Sequence, residues 1–311
     1  MIGAPDNAGV ARLRAAKPSE TTAIQAILEA SSVHDDPAGW SGGAWSVAAW
    51  ATDLRVLDLA GCVVGLVAVR AQPGLDGTVS MRVALEVSSR QLPLATLLVQ
   101  GGLDLVRESG AQRARMFVPA RATWIQTAAT TAGFLRVRTI ARMLLPASVP
   151  SPTPVPASES SFRLRSILPG EDEQVLSALN RAWTGTWNFA PISLEMLQRD
   201  LQGQREGMLL GVELDAPSHI IGTCHAVFEP TQQNPDGNPR AWISNVTVDP
   251  NVRGRGIARA MLTAGIKHLR SRGAGSITLG VDADNPAPFR LYQSVGFEVS
   301  SAHEAWDRDL T

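Results

Sequence analysis

The second half of the chain alternates apolar runs of strand length with amphipathic segments of helix length. Helical spacing of apolar residues predicts helices over 169–183, 193–201, 256–270 and 286–295, and β-type runs predict strands over 162–167, 208–214, 219–228, 241–248 and 276–281. Turn residues separate the second, third and fourth strands, which predicts an antiparallel meander. A last strand or hairpin is expected after the final helix. The pattern therefore predicts the α/β class, with helices flanking a mostly antiparallel mixed sheet.

An internal repeat relates the first half of the chain to the second. The Arg-Leu-Arg of residues 12–14 recurs at 163–165, an offset of 151. Farther on, an offset of 163 aligns residues 83–134 with 246–297 without a gap. The sequence therefore predicts a tandem duplication of one α/β unit, with a longer insertion in the second copy.

A segment rich in proline and serine, residues 147–160, lies between the two copies. Such a composition cannot form a core and predicts an extended, semi-rigid linker. We therefore predict a first domain at 1–146 and a second at 161–311, in keeping with the usual domain size for a chain of 311 residues. The two domains would form an intramolecular pseudo-dimer, which is compatible with a monomeric protein.

Charge and composition narrow the possible partners and location. The net charge is −1, with 44% apolar and 18% charged residues, so nucleic acid is not an expected partner. The chain has no apolar run long enough to span a bilayer, and its N-terminus lacks a signal-peptide pattern, so we expect a cytoplasmic protein. Cys62 and Cys224 lie in apolar runs without metal-ligand spacing, so both are predicted to be core residues and no metal site is expected.

Residues 246–258 have the pattern of an anion-binding turn between a strand and a helix. Gly254 and Gly256 would allow a phosphate close to the backbone at the helix N-terminus, and Arg253 and Arg255 would add positive charge. The alternative is a simple tight turn with solvated arginines. A P-loop lysine and the third glycine of a dinucleotide-binding fingerprint are both missing from this segment.

The loop and the segments after it resemble the GCN5-related N-acetyltransferase (GNAT) family. That family has a [Q/R]xxGx[G/A] pyrophosphate loop, followed by a helix, a strand and a helix of the form Asn…LYxxxGF. The matching residues are Arg253, Gly256 and Ala258 in the loop, then Asn285, Leu291-Tyr292 and Gly296-Phe297.

The resemblance implies acetyl-CoA as the co-substrate and a direct transfer to an amine. The backbone of Val246, Thr247 and Val248 would bond the pantetheine arm, and a backbone N–H at a bulge near Val246 or Thr247 would stabilise the acyl oxygen. The pyrophosphate would lie on residues Arg253, Gly254, Arg255, Gly256, Ile257 and Ala258. Asn285 is expected to cap the last helix, to bond the pantetheine, or to do both.

Tyr292, the chain's only tyrosine, is the predicted general acid for the leaving thiolate. Its alternative role is that of a core aromatic. The general base stays open because the fourth strand of this copy carries no carboxylate. The candidates are His225, Glu229, His303, Glu304 and ordered water.

Aromatic residues in the segment 183–191 favour either a planar or apolar acceptor or simple packing of the loop; the first copy has Trp40, Trp45 and Trp50 in the matching place. In the first copy, Pro93, Ala122 and Ala129 replace Gly256, Asn285 and Tyr292, so that copy is predicted to be structural. This arrangement resembles mycothiol synthase-like tandem proteins. The predicted function is N-acetylation of a small-molecule amine, possible acceptors including a cysteinyl amine, and the alternative is a non-catalytic acyl-CoA sensor.

Overall fold

The computed structural model describes residues 11–36, 53–72, 75, 77–152, 162–234 and 236–310. Two compact units make up the fold. Unit 1 comprises Met1–Ile140 together with Ser301–Thr311, and unit 2 comprises Ala141–Ser300. Within these described ranges, no helix combines the length and the apolar character that crossing a membrane requires.

The principal elements follow one another in the order expected for two copies of one α/β unit. The first copy runs β1 (Arg12–Ala15), α1 (Thr21–Asp35), β2 (Leu54–Leu59), β3 (Cys62–Ala71), β4 (Thr78–Leu85), α2 (Leu92–Glu108), β5 (Arg113–Pro119), α3 (Thr123–Thr131) and β6 (Leu135–Leu145). The second copy runs β7 (Phe162–Ser166), α4 (Asp172–Trp183), α5 (Leu194–Leu201), β8 (Met208–Glu213), β9 (Ile220–Gln233), β10 (Pro239–Val248), α6 (Ile257–Ser271), β11 (Ile277–Asp282), α7 (Pro286–Gln293) and β12 (Glu298–Asp309).

Each unit is built on a mixed sheet. In unit 1 the strand order is β1-β2-β3-β4-β5-β12, with β4 and β5 parallel and the other pairs antiparallel. In unit 2 the order is β6-β11-β10-β9-β8-β7, with β10 and β11 parallel and β7 to β10 forming the antiparallel meander. The predicted fold class is therefore confirmed.

Helix α6 packs closely on the central strands of unit 2. Its apolar face, which includes Met261, Leu262 and Ile266, is fully buried. A Cβ on Gly265 would lie 2.5 Å from the Cys224 sulfur, so only glycine permits this approach of helix and strand. This packing fixes the position of the helix whose N-terminus follows the glycine loop.

The compact units differ from the predicted domains at their last strands. Residues 303–309 of β12 pair with β5, so the chain's C-terminus belongs to unit 1. The end of β6 contributes Ala141, Met143 and Leu145 to the buried core of unit 2. Apolar periodicity predicts a strand but does not say which sheet the strand joins.

The predicted linker begins as a packed turn. The Arg270 guanidinium donates to the Pro146 carbonyl at 2.8 Å, and Val149 packs against the core of unit 2. Residues 153–160 of the segment lie outside the described residues.

Three expectations need correction. Helix α4 begins at Asp172 rather than at 169, because Gly170 has a positive φ of 84°. Strand β9 continues to Gln233, five residues beyond the predicted end. Cys62 is exposed, since it is the first residue of β3 after a tight turn, whereas Cys224 is buried as predicted.

Candidate functional site

Strands β10 and β11 share only a short parallel ladder. It consists of Trp242 opposite Thr278 and Ile243 opposite Leu279, although β10 continues to Val248. An irregularity in the pairing with β9 follows directly, between Ile243 and Asn245. The bulge therefore lies just before Val246. The pairing between β10 and β11 ends at the point where the resemblance predicts the pantetheine site.

The backbone direction in this part of β10 follows from one hydrogen bond. The Asp249 N–H donates to the Ile221 carbonyl on β9 at 2.9 Å. Because backbone groups alternate along an extended strand, the N–H and C=O of Val246 and Val248 point away from β9, and those of Thr247 point toward it. Val246 and Val248 thus present an edge to the side from which β11 has separated.

Thr247 is buried, and its hydroxyl lies 2.7 Å from the hydroxyl of Thr223. Thr223 also donates to the Asn245 side-chain oxygen at 3.2 Å. A row of hydrogen-bonded polar side chains therefore lies across β9 and β10. It ties the two strands together at the point where β10 and β11 diverge.

The glycine loop connects β10 to α6. Gly254 and Gly256 have φ values of 83° and 77°, and a Cβ on either would meet no heavy atom of the described chain within 4 Å. Glycine is therefore required here by the backbone conformation rather than by lack of space. Ile257, the first residue of α6, is buried and anchors the helix, whose first N–H groups have no partner within the helix.

Asp249 holds the start of this loop. Its carboxylate accepts the Asn251 N–H at 2.9 Å and the Arg181 Nε at 2.8 Å. Burial alone would raise the pKa of Asp249, but these donors hold it below its usual value, so the group is ionised at neutral pH. The sequence pattern did not indicate the pairing with Arg181, although an Asp before Pro-Asn is a recognisable turn cap.

The loop arginines occupy different environments. The Arg253 Nη2 donates to the Ala182 carbonyl at 3.2 Å, which fixes the side chain beside the end of α4. Arg255 is exposed, and Ala258 is partly buried in the first turn of α6. Residues 253–256 are thus exposed, and their two arginines lie beside the N-terminus of α6.

Tyr292 lies in α7 and is buried in the core of unit 2. Its ring meets that of Phe297 edge-on, with centroids 6.1 Å apart. Burial, with a smaller effect of Cys224, raises the pKa of Tyr292 above its usual value, so the phenol is neutral over the whole working pH range. Both predicted roles of Tyr292, core aromatic and proton donor, are compatible with this position.

Asn285 occupies the N-cap position of α7, as predicted. Its side chain, however, makes no capping hydrogen bond to the described residues and is exposed. The N-terminus of α7 is shaped instead by the Asn285 N–H, which donates to the Asp282 carbonyl at 3.1 Å. Helix α7 is linked to α6 by the Arg259 guanidinium, which donates to the Ser294 hydroxyl at 2.6 Å.

The candidate bases are widely separated. His225 lies opposite Asn245 in the β9–β10 register, and burial lowers its pKa, so its imidazole is neutral. Glu229 pairs with Arg240 at 3.5 Å, roughly 20 Å along β10 from Val246 at the usual rise per residue. His303 and Glu304 belong to unit 1. Of the two candidates in unit 2, His225 is therefore the one closer to Val246 along the strand register.

In unit 1 the counterpart of Arg253 has a different role. Arg90 makes two hydrogen bonds to the Asp35 carboxylate, at 2.7 and 2.9 Å, and both side chains are buried. Pro93 lies in the first turn of α2, where it removes the N–H that the position of Gly256 would require. These features favour the prediction that unit 1 does not bind CoA.

Of the two groups of aromatic residues considered for the acceptor, the structure describes only the group in the second copy. Trp183 ends α4 and is 39% exposed. Trp40, Trp45 and Trp50 lie outside the described residues.

Comparison with known proteins agrees with this geometry. Residues 173–297 match the model of the acetyltransferase (GNAT) family. The chain is 32% identical over 201 residues to a mycothiol acetyltransferase of Thermobispora bispora, covering 63% of this chain and 65% of that protein. It is 33% identical over 192 residues to one of Paenarthrobacter aurescens, covering 58% and 54%. The match thus spans less than two thirds of these relatives.

Solved structures share the fold over nearly the whole chain. A GCN5-related N-acetyltransferase from Sphaerobacter thermophilus superposes with a TM-score of 0.74 at 23% identity, covering 96% of this chain and 95% of that one. A tandem GNAT protein from the clavulanic acid biosynthesis pathway gives 0.66 at 17% identity, covering 96% and 98%. At these identities the likeness concerns the fold alone, and it supports the two-domain arrangement.

Proposed function

Because residues 173–297 match the model of the GNAT family, we propose that unit 2 is an acetyl-CoA-dependent N-acetyltransferase acting on a primary amine of a small molecule. One observation carries the proposal. The open edge of Val246 and Val248 leads directly into a loop whose two glycines adopt positive φ at the N-terminus of α6. A strand edge that continues into an anion site fits an extended molecule with a phosphate end.

The residues present fit acetyl-CoA. The N–H groups of the first turn of α6, with Arg253 and Arg255, would hold the pyrophosphate. The edge groups of Val246 and Val248 would bond the pantetheine amides. Acetyl-CoA supplies the acetyl group as an activated thioester, so the chain needs no acyl-enzyme nucleophile, and the buried Cys224 has no catalytic task.

A backbone N–H beside the bulge would stabilise the acyl oxygen of acetyl-CoA. Negative charge develops on that oxygen as the amine attacks, and a fixed N–H stabilises it without reorganisation. Of the two residues predicted for this role, Val246 has its N–H on the open edge, whereas the alternation of the strand turns that of Thr247 toward β9. Thr247 would instead support the site through its contact with Thr223.

Tyr292 is the proposed hydrogen-bond and proton donor to the leaving sulfur. Its raised pKa keeps the proton on the phenol until negative charge appears nearby. The same shift makes complete proton release less favourable, so a donated hydrogen bond is the larger part of its contribution.

His225 is the proposed route for the proton that the amine loses. Burial keeps the imidazole neutral, which leaves one ring nitrogen able to accept a proton. Its place beside Asn245 lies one residue from Val246 in the strand register, so ordered water would complete the path.

The acceptor panel is the direct test of activity. Cysteinyl amines come first, because the similar proteins carry the name mycothiol acetyltransferase. Free CoA and the acetylated product are separated and measured by chromatography for amino sugars, polyamines, amino acids and cysteinyl amines, because a thiol reagent would also react with the thiol of a cysteinyl amine. No release above the blank with any acceptor contradicts the enzyme and favours a non-catalytic acyl-CoA sensor.

Tyr292→Phe then tests the mechanism. We expect turnover to fall about 100-fold or more, within the range usual for acid–base groups, while the acetyl-CoA dissociation constant changes less than about threefold. Phe297→Leu serves as the control, since it alters the same core without removing a hydroxyl. Equal turnover losses in both variants would assign Tyr292 to packing only.

A further inference from the structure

Two consecutive residues in the last turn of α4 bind the segment that leads into the glycine loop, residues 249–253. The Arg181 Nε donates to the Asp249 carboxylate at 2.8 Å, and the Arg253 Nη2 donates to the Ala182 carbonyl at 3.2 Å. Asp249 is the first residue after β10, and Arg253 directly precedes Gly254. Helix α4 therefore holds this segment at both of its ends.

The contact between Arg181 and Asp249 compensates a buried charge. Only 3% of the Asp249 side chain is exposed, against 40% of the Arg181 side chain. One carboxylate oxygen accepts the Asn251 N–H and the other accepts the Arg181 Nε, while the His219 Nε2 lies 3.8 Å away, beyond hydrogen-bond distance. Without the guanidinium, the carboxylate would take up a proton or turn toward solvent. Either change weakens its hydrogen bond to Asn251.

An ion pair at the start of each copy serves as a standard for a purely structural pair. Arg14 binds Glu20 in unit 1, and Arg165 binds Glu171 in unit 2, each through two hydrogen bonds. The two pairs are related by the offset of 151, and so are the first residues of α1 and α4. This pair is present in the copy without the glycine loop, so its role does not depend on that loop.

The pair that holds the loop segment has no such counterpart. The offset of 151 aligns Arg181 with Ala30, and the offset of 163 aligns Asp249 with Glu86. Ala30 has no side-chain donor for a carboxylate. The same copy has Pro93 in place of the second loop glycine. The copy that lacks the glycine loop therefore also lacks the residues for this pair, which links the pair to the loop rather than to the stability of the α/β unit.

We propose that Arg181 is a positioning residue for acetyl-CoA, because through Asp249 it holds the segment before Gly254 in the conformation that receives the pyrophosphate. The inference rests on the acetyl-CoA site proposed for unit 2. Arg181 acts through Asp249, since its Nε and Nη2 bind the Asp249 carboxylate and the Ile220 carbonyl. Without this contact, only a fraction of the molecules has the loop in the binding conformation, and the apparent affinity falls by that fraction.

Calorimetric titration of the full chain with CoA measures this effect. Arg181→Met removes the guanidinium but keeps an apolar side chain, and it should raise the CoA dissociation constant about tenfold or more. Arg181→Lys keeps the charge without the planar fork and should cause a smaller rise. Asp249→Asn should also weaken binding. Adding Arg181→Met to Asp249→Asn should then change the dissociation constant less than about twofold, because the two residues act as one unit.

Amide hydrogen exchange of the free chain tests the same contact without CoA. The N–H groups of Asn251 and Val252 donate to the Asp249 carboxylate and carbonyl, and in Arg181→Met both should exchange about fivefold faster or more. Arg205→Met is the matched control. Arg205 pairs with Asp172 in the first turn of α4 at 2.7 Å, and its side chain is 40% exposed, like that of Arg181. This control should change neither the CoA affinity nor the exchange of these amides.

The inference is overturned if Arg181→Met binds CoA as tightly as the wild type, if Arg205→Met weakens binding as much, or if the two amides keep their wild-type exchange rates. A wild-type chain that binds no CoA would contradict the proposed function and this inference together. Wild-type binding with unaffected Arg181 variants would contradict this inference alone. If Arg181→Met does not fold, Arg181→Lys decides, and an unchanged dissociation constant and exchange rate in that variant overturn the inference.

Discussion

Replacing Gly256 by alanine isolates the backbone contribution of the glycine loop. Gly256 has a φ of 77°, and a Cβ there would meet no heavy atom of the described residues within 4 Å. The cost is therefore conformational and not steric. An L-residue held in the left-handed region costs about 1–2 kcal/mol. That free energy corresponds to a factor of about 5 to 30 in an equilibrium constant.

The cost can appear in two measurable places. If the loop keeps its conformation, the free energy of unfolding falls by about 1–2 kcal/mol and CoA affinity is unchanged. If the loop relaxes, stability is retained, and CoA binding must restore the strained conformation, so the dissociation constant rises about 5- to 30-fold. The two losses together should therefore amount to about 1–2 kcal/mol.

Gly237 provides a matched control. Its φ is 78°, a Cβ there also meets nothing within 4 Å of the described chain, and it lies in the β9–β10 hairpin. Gly237→Ala should lower stability by a similar amount and leave CoA binding unaffected. Gly256→Asn should lose less than Gly256→Ala, because asparagine tolerates the left-handed region.

Urea unfolding measures the free energy of unfolding of each variant, and calorimetric titration measures its dissociation constant for CoA. The reasoning is refuted if Gly256→Ala changes neither quantity, or if Gly237→Ala weakens CoA binding as much as Gly256→Ala does.

Three further predictions concern the fold. Cys62 is exposed and Cys224 is buried with a pKa raised to about 12, so a thiol reagent should label one cysteine in the native chain and two in urea; two fast reactions would contradict this burial. The Arg165 guanidinium binds the Glu171 carboxylate and lowers its pKa, so Glu171→Gln should lower the free energy of unfolding by about 1 kcal/mol at a pH above the unfolded-state pKa of about 4.3. In urea unfolding, this difference between variant and wild type should disappear as the pH falls through the lower folded-state pKa of Glu171. A difference that stays constant with pH would refute the prediction. Deleting Ser301–Thr311 removes the strand that pairs with β5, so protease should cut rapidly within residues 12–140; unchanged resistance would refute the assignment of that strand to unit 1.

Local signals in the chain were sufficient to predict the elements of the second copy. The helix after the glycine loop was predicted within one residue at each end, because Gly256 stops it on one side and its apolar face is regular. Bounds failed where a single backbone conformation decided them, as at Gly170 before α4. Strand β9 is longer than predicted, because its last residues, such as Gln232, are polar and give no apolar pattern from which the end of a hairpin strand could be predicted.

The candidate site divides in the same way. The loop glycines and arginines could be found from the sequence, since consecutive residues must supply an anion site at a helix N-terminus. The general base could not be chosen from the sequence, because His225, Glu229, His303 and Glu304 can all accept a proton, and the sequence does not show which of them lies near the acceptor. The strand register places His225 beside Asn245, pairs Glu229 with Arg240 and assigns His303 to unit 1.

The sequence by itself determined the order of helices and strands and the glycine loop, because these depend on neighbours within a few residues. It also determined the duplication, because matching residues recur at a constant offset along the chain. The tertiary structure alone decided which sheet receives the last strand of each copy, since β12 could satisfy its hydrogen bonds on any open edge. It alone also showed that Arg90 turns inward to Asp35 while Arg253 stays at the surface. The aligned arginine has the same charge in both copies, and only the residues packed around it decide whether the guanidinium forms an internal ion pair or stays accessible to a ligand.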